Sequence, residues 1–214
     1  PSDIRFEDNT FSFQVDGGLK PGSRYEVTLE GRLAGPLRAT GDGDFTWAFQ
    51  TTTPQLISQS PTDVVDADNR RIQAQFSTAI DDDVLKEPGT VRISREGEAL
   101  EPSDTRFEDN TLSFEIDGGL KPGSRYEVTL EGRLAGPLRA TGDGDFTWAF
   151  QTTVPQLVGQ SPTDVVDAAN RRIEAQFSTA IDEELISTET VRISHEGEAL
   201  APIDFRFEDN TLSF

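Results

Sequence analysis

The sequence contains no cysteine, no methionine and a single histidine, His195. Disulfides, thiolate nucleophiles and cysteine metal sites are therefore excluded. No Gly-x-Ser-x-Gly motif occurs, and one histidine serves at most one Ser-His-Asp triad. We therefore expect no enzymatic activity, and we expect a fold held together by its hydrophobic core alone.

Basic residues are also scarce. The chain has 19 Lys+Arg against 39 Asp+Glu, a formal net charge of −20, and its only lysines are Lys20, Lys86 and Lys121. Such a chain would be repelled by nucleic acid and by an anionic membrane surface. No apolar run approaches the roughly 20 residues needed to span a bilayer. The composition therefore predicts no nucleic-acid partner and no membrane insertion within this segment.

The sequence repeats itself. Residues 1–53 align without a gap with residues 102–154 and differ from them at five positions, and the period is 101 residues. A period of this length is the size of one independent domain, whereas solenoid repeats are shorter. We expect a window of a longer array, divided into the C-terminal half of one domain (1–53), a complete domain (54–153) and the N-terminal half of the next (154–214).

Apolar and polar residues alternate along short segments of the complete repeat. In Arg125–Leu130, for example, Tyr126, Val128 and Leu130 are apolar and the residues between them are polar. This period of two predicts strands with one buried face, and the Gly-, Pro-, Asn- and Asp-rich segments between them predict turns. We expect an all-β fold of tandem Ig-like Greek-key sandwiches in an extended array, with a tight hairpin at Asp109-Asn110 and one helical turn in "TAIDDDVLKE".

The segment "LKPGSRYEVTLEG" occurs twice, at residues 19–31 and 120–132. Its leucine is expected to close one end of a sandwich, its Pro-Gly to turn the chain, and its tyrosine to form a tyrosine corner whose hydroxyl bonds back to the main chain. The tryptophan of the last strand is expected in the core. The structural residues predicted in this way are Leu19, Pro21, Tyr25 and Trp47 in the first copy and Leu120, Pro122, Tyr126 and Trp148 in the second.

Five motifs occur in one order along the repeat: "SPTD", "IQAQFSTAID", "NTLSF", "LKPGSRYEVTL" and "FTWAFQTT". With this order the chain resembles the bacterial Ig-like repeat of surface-layer proteins, of the SbsA Ig-like type. The resemblance implies an extracellular or cell-surface spacer or adhesive module. It brings no shared catalytic site.

Acidic loops are the candidate metal sites. In "TGDGDF", which occurs in both copies, Asp42, Asp44, Asp143 and Asp145 could supply oxygen ligands to calcium. No complete EF-hand loop is present, and Asp and Gly are ordinary turn residues, so solvated turns are the alternative. We expect no required cofactor and leave calcium open.

The function predicted from the repeat is a stiff stalk or fibre that holds another part of a protein away from the cell. Negative charge on neighbouring domains favours extension, and Pro54 and Pro155 stiffen the short linkers. The partners expected are neighbouring identical repeats, or another molecule that completes the half-domains head to tail. Two alternatives are a module that binds glycan or protein through its loops, which predicts the variation between "DDDVLKEPGT" and "DEELISTET", and a subunit of a surface lattice or filament.

Overall fold

The computed structural model describes residues 2–34, 43–137, 144–167, 169, 172–200 and 204–214. Their regular structure is almost entirely β-strand. Helices within these ranges include one short α-helix, α1 (Asp82–Leu85), and the 3₁₀ helices Gly31–Ala34, Gly132–Ala135 and Glu183–Leu185. The predictions of an all-β fold and of one helical turn in "TAIDDDVLKE" are confirmed.

The N-terminal segment (residues 1–53) forms two antiparallel pairs of strands, in which β1 pairs with β2 and β3 pairs with β4. These strands are β1 (Ser2–Glu7), β2 (Thr10–Gln14), β3 (Arg24–Leu29) and β4 (Phe45–Gln50).

The central segment (residues 54–153) forms two larger sheets. Its strands are β5 (Leu56–Ser60), β6 (Val64–Val65), β7 (Ile72–Phe76), β8 (Val91–Arg95), β9 (Glu98–Leu100), β10 (Pro102–Glu108), β11 (Thr111–Ile116), β12 (Arg125–Leu130) and β13 (Phe146–Thr152). One sheet has the order β10-β11-β7-β5 and the other the order β6-β13-β12-β8-β9. This is the ABED and CFG arrangement of an Ig sandwich, with β9 added beside β8 and the short β6 added parallel to β13.

The core of the central sandwich follows from the alternation in sequence. In β12 every second side chain is buried, and Tyr126, Val128 and Leu130 are each 0% exposed. The Asp109-Asn110 turn joins β10 to β11, and both of its residues have positive φ, as expected for the tight hairpin that the sequence predicts. The apolar face of each strand thus meets the apolar face of the opposite sheet.

The C-terminal segment (residues 154–214) repeats the first strands of the central sandwich. Its strands are β14 (Leu157–Ser161), β15 (Glu174–Phe177), β16 (Ile193–His195), β17 (Glu198–Leu200), β18 (Arg206–Glu208) and β19 (Thr211–Ser213). They form a sheet of order β14-β15-β19-β18 and a separate pair β16-β17. The counterparts of β12 and β13 lie only in the N-terminal and central segments.

Equivalent residues differ in burial between the segments because their strands have different neighbours. Trp148 in β13 is 7% exposed, whereas Trp47 in β4 is 46% exposed. Ile116 at the end of β11 is 7% exposed, and its counterpart Val15 is 43% exposed. The expectation that Trp47 is a core residue is therefore not met within the described residues, because the N-terminal segment has no counterparts of β5, β7 and β8 there.

Candidate functional site

The tyrosine of the duplicated segment holds the turn that precedes it. The Tyr126 ring is fully buried and stacks on Phe150 with ring centroids 5.2 Å apart. Its hydroxyl oxygen accepts a hydrogen bond from the main-chain N–H of Lys121 at 2.6 Å. Tyr25 makes the equivalent bond with the N–H of Lys20, also at 2.6 Å. The structure thus has the same corner in both copies, although Tyr25 is only half-buried.

The leucine of the segment is buried in the second copy but not in the first, and the Pro-Gly lies at a turn in both copies. Leu120 is 6% exposed beneath the corner, while Leu19 is 45% exposed. The turn at Pro122 continues through Gly123 at φ 62°, the left-handed conformation that glycine adopts without steric cost. In the first copy Pro21 precedes Gly22 at φ 52°.

The end of the last strand is tied to this corner. The Thr152 hydroxyl, in a residue 2% exposed, donates to the main-chain oxygen of Lys121 at 2.6 Å and accepts from the N–H of Ser124 at 2.8 Å. The N–H of Gly123 donates to the carbonyl of Thr153 at 3.0 Å. The chain leaving the central sandwich is therefore held as far as Thr153.

On the other side of the linker, the chain forms hydrogen bonds to the C-terminal segment at Gln156, three residues after Thr153. The main-chain carbonyl of Gln156 accepts a hydrogen bond from the main-chain N–H of Ser178 at 2.8 Å. The main-chain N–H of Gln156 donates to the Ser178 hydroxyl at 3.0 Å. Between the two sets of bonds lie only Val154 and Pro155. The earlier linker has the same bonds, from Gly22 to Thr52 on one side and between Gln55 and Ser77 on the other, and its Pro54 is fully buried.

A lysine of each corner reaches across the linker to an acidic pair in the next segment. The Lys20 ammonium lies 2.9 Å from Asp81 and forms a second ion pair with Asp83. The Lys121 ammonium lies 3.1 Å from Asp182 and 2.8 Å from Glu184. We call each lysine with its two acids a clamp.

The acidic partners are fixed by the local structure. Asp81 is the N-cap of α1, and its side chain accepts from the N–H of Asp83 at 3.0 Å. Asp182 caps the 3₁₀ helix Glu183–Leu185 in the same way, accepting from the N–H of Glu184 at 3.2 Å. One carboxylate therefore caps a helical turn and binds the lysine of the preceding segment.

The clamp changes the ionisation of its members. Hydrogen bonds to Asp83 and then to Asp81 raise the pKa of Lys20, and hydrogen bonds to Glu184 and Asp182 raise the pKa of Lys121. The hydrogen bond from Lys20 lowers the pKa of Asp83. The lysines therefore stay charged at neutral pH, so they serve as ion-pair donors and not as nucleophiles.

Two further contacts join the segments. The main chain of Pro21-Gly22 packs so closely on that of Ala135-Gly136 that a Cβ on Gly136 would lie 2.0 Å from the Pro21 oxygen. At the second junction the Thr179 hydroxyl donates to Asp66 at 2.7 Å, and Thr179 is only 4% exposed.

The calcium candidates are partly engaged in other bonds. Asp145 accepts from the N–H of Gly132 at 3.1 Å and pairs with Arg92 at 2.6 Å. Asp44 accepts from the N–H of Gly31 at 3.0 Å. Asp42 and Asp143 lie outside the described residues, and among the described residues no three His, Asp or Glu side chains are grouped as metal ligands. Calcium binding therefore stays a prediction to be tested.

Sequence reasoning missed the clamp, although a signal was present. Two of the three lysines occupy equivalent positions, Lys20 and Lys121, and an aspartate follows each of them by 61 residues. The loop "DDDVLKEPGT" was considered as a variable loop that could bind another molecule, although its first residues bind a lysine of the same chain.

The family model of the bacterial Ig-like domain matches residues 50–152. No match is found among curated proteins. Within the described residues no helix is both long and apolar enough to cross a membrane.

The chain is also similar to parts of several larger solved structures. The S-layer protein rSbsC(31-844) is 14% identical with a TM-score of 0.32, covering 75% of this chain and 21% of that one. The N-terminal part of the bacterial S-layer protein SbsC is 15% identical with a TM-score of 0.33, covering 75% and 37%. The LD transpeptidase LdtMt1 in complex with imipenem is 19% identical with a TM-score of 0.34, covering 47% and 40%. The chain thus spans less than half the length of each.

Proposed function

We propose that the chain is a non-enzymatic structural part of a bacterial cell-surface protein, in which Ig-like repeats are joined end to end as a stiff stalk or fibre. The match of residues 50–152 to the bacterial Ig-like domain supports the class of module. The SbsA surface-layer type, the tandem domain boundaries at 1–53, 54–153 and 154–214, and the extracellular location are parts of this proposal.

The observation that carries the proposal is the repeated junction. Each linker leaves only two residues between the hydrogen bonds to one segment and those to the next. Each junction is then crossed by a lysine that binds an N-cap aspartate, Lys20 with Asp81 and Lys121 with Asp182. A two-residue linker and an ion pair beside it together resist bending between the segments, whereas a long flexible linker would not.

The charge of the chain favours the same function. With a net charge of −20 the repeats repel one another beyond the junction, and repulsion favours an extended array. The partner of each repeat in this proposal is its neighbour along the chain. A lattice or filament would need further lateral contacts between chains.

The loop-binding alternative is less well supported. Variation between the copies is greatest in the loops that begin at Asp81 and Asp182. These same residues bind the lysine of the preceding segment, so the start of the loop already has a partner within the chain. Variation there is compatible with a junction that accepts either Asp83 or Glu184 as its second acid.

Small-angle X-ray scattering of the whole chain tests the proposal. We expect a rod-like profile in the parent protein and a smaller average radius of gyration in Lys20→Met/Lys121→Met, because freed junctions bend. Lys86→Met is the matched control, since Lys86 is exposed and its ion pair, with Asp83 at 3.7 Å, lies within one segment. A parent profile typical of a compact or randomly bent particle would overturn the stalk.

A further inference from the structure

The contact between Asp66 and Thr179 lies on the opposite side of the linker from the clamp. The second sheet of the central sandwich has the order β6-β13-β12, and β13 runs into the linker. Asp66 directly follows β6, whereas Lys121 lies in the corner that precedes β12. Because neighbouring strands lie about 4.8 Å apart, the main chains that carry these two side chains are about 10 Å apart, one on each side of the linker.

The main chain of Asp66 is fixed beside the linker. Its neighbour Val65 pairs with Thr152 at the end of β13, and the Val65 carbonyl accepts from the N–H of Thr153 at 2.9 Å. Its other neighbour, Ala67, is buried in the core. The carboxylate of Asp66 is therefore presented from an ordered main chain, and a contact made by an ordered group costs little further entropy.

One loop of the C-terminal segment, residues 178–182, receives all three connections. Ser178 bonds to the linker at Gln156, and Asp182 completes the clamp. Between them the Thr179 hydroxyl donates to Asp66 at 2.7 Å from a residue that is 4% exposed. A hydrogen bond to an ionised carboxylate is stronger than one between neutral groups, and this donor is shielded from water.

The clamp and the Asp66–Thr179 bond restrict different motions. The lysine ammonium is a point charge on a flexible four-carbon stem, so the clamp limits the distance between the segments and tolerates a sideways shift. Asp66 and Thr179 have short side chains, and the hydrogen bond between them is directional. Rotation of the next segment about the array axis would shift the loop 178–182 sideways, so this bond resists a motion that the clamp permits.

Both sides of the contact recur with the repeat. The segment "DVVD" that ends at Asp66 occurs again at residues 164–167, and the segment "STAID" that contains Thr179 occurs also at residues 77–81. Each copy of the repeat thus carries an aspartate for the junction that follows it and a threonine for the junction that precedes it.

We propose that Asp66 is a positioning residue whose hydrogen bond to Thr179 sets the rotation of one repeat relative to the next about the array axis. This inference rests on the proposed stalk and gives it a regular twist, because the same contact produces the same angle at each junction. Without the bond the array remains a rod of the same length, but its repeats rotate over a range of angles.

Pulsed electron double resonance between spin labels at Gln75→Cys and Gln176→Cys measures this rotation. The two positions are equivalent and exposed, on β7 and β15. We expect a narrow distance distribution in the parent and a broad one in Asp66→Ala and in Thr179→Val. The two substitutions together should broaden it no further than either alone, because both remove the same bond. Asp66→Asn and Thr179→Ser retain an acceptor and a hydroxyl and should keep the distribution narrow.

Asp68→Ala is the matched control, since it removes the same charge two residues further along the same turn. Small-angle scattering separates this inference from the stalk itself: Asp66→Ala should keep the radius of gyration of the parent, because the clamp remains. The inference is overturned if Asp66→Ala and Thr179→Val leave the distribution as narrow as Asp68→Ala does. It is also overturned if Asp66→Ala lowers the radius of gyration as much as Lys121→Met, whereas a compact parent overturns the stalk.

Discussion

Lys121 and Asp182 stand in the same relation as Lys20 and Asp81, one repeat earlier, with ammonium-to-carboxylate distances of 3.1 and 2.9 Å. In each pair the lysine follows the leucine of the corner, and the aspartate caps a helical turn of the next segment. The junction thus uses residues of two local structures, a tyrosine corner and a helix N-cap, each of which is also part of the fold of its own segment. A chain that duplicates both duplicates the junction as well.

Removing the Tyr126 hydroxyl should destabilise the protein without changing its fold. Tyr126→Phe leaves the N–H of Lys121 without its 2.6 Å acceptor, and the loss of one such bond costs about 1–2 kcal/mol. Denaturant unfolding of the whole chain measures the change. Tyr25→Phe is the control and should cost less, because Tyr25 is only half-buried. An unchanged midpoint in Tyr126→Phe would count against the corner.

Adding one methyl group at Gly136 should separate the N-terminal and central segments. Gly136→Ala places a Cβ about 2.0 Å from the Pro21 oxygen and also strains a φ of 91°. Gly118→Ala has a similar φ of 79° but meets nothing within 4 Å, so it reports the strain alone. We expect faster proteolysis of the linker at Thr53-Pro54 only in Gly136→Ala. Equal rates in both variants would show that the close backbone contact is not needed.

The clamp should weaken in acid. Because the pKa of Asp83 is lowered, its contribution to stability is present above its unfolded pKa of about 3.9 and is lost as pH falls through the folded value. Because the pKa of Lys20 is raised, its contribution is present below about pH 10.4 and is lost only as pH rises through the folded value. The ion pair is therefore intact across neutral pH.

Carboxyl NMR titration checks this ionisation directly. The Asp83 midpoint should be low in the parent and return to the ordinary range in Lys20→Met, with Lys86→Met causing a smaller change. Added salt should weaken the Lys20–Asp83 pair more than Lys121–Asp182, because the former is more exposed. An Asp83 titration midpoint that is the same in the parent and in Lys20→Met would contradict the clamp.

Calcium should not be needed for stability. Asp145 already accepts from Gly132 and pairs with Arg92, so Asp145→Ala should cost about 1 kcal/mol whether calcium or a chelator is present. Thermal melting under both conditions measures this. A calcium-dependent rise of several degrees that disappears in Asp143→Ala/Asp145→Ala would reverse the prediction, since ligand binding to the folded state raises stability.

The sequence was most informative where a local rule decides the structure. Alternation over Tyr126, Val128 and Leu130 predicted a strand with one buried face, and Asp109-Asn110 predicted the hairpin. The bond from Lys121 to Tyr126 follows from the spacing of five residues within one segment. In each case the interacting residues are close in sequence, so a local pattern contains the needed information.

Contacts between segments were harder to predict. Lys121 and Asp182 are 61 residues apart, and their meeting depends on how two sandwiches are placed end to end. Within the central sandwich, the parallel pairing of Val64–Val65 with the end of β13 was also missed, because two residues are too short for a periodic signal. The repeat nevertheless contained the clue, since each acid lies at the same distance from a lysine in both copies.

The central claim is that the clamp and the short linker hold adjacent segments at a fixed angle. Spin labels at Glu127→Cys and Gln176→Cys, on exposed positions of β12 and β15, report that geometry by pulsed electron double resonance. The labelled protein is diluted with unlabelled protein so that distances within one molecule dominate. The account predicts one narrow distance distribution in the parent and in Lys86→Met, and a broad one in Lys121→Met. A broad distribution in the parent, or an equal width in Lys121→Met, would contradict it.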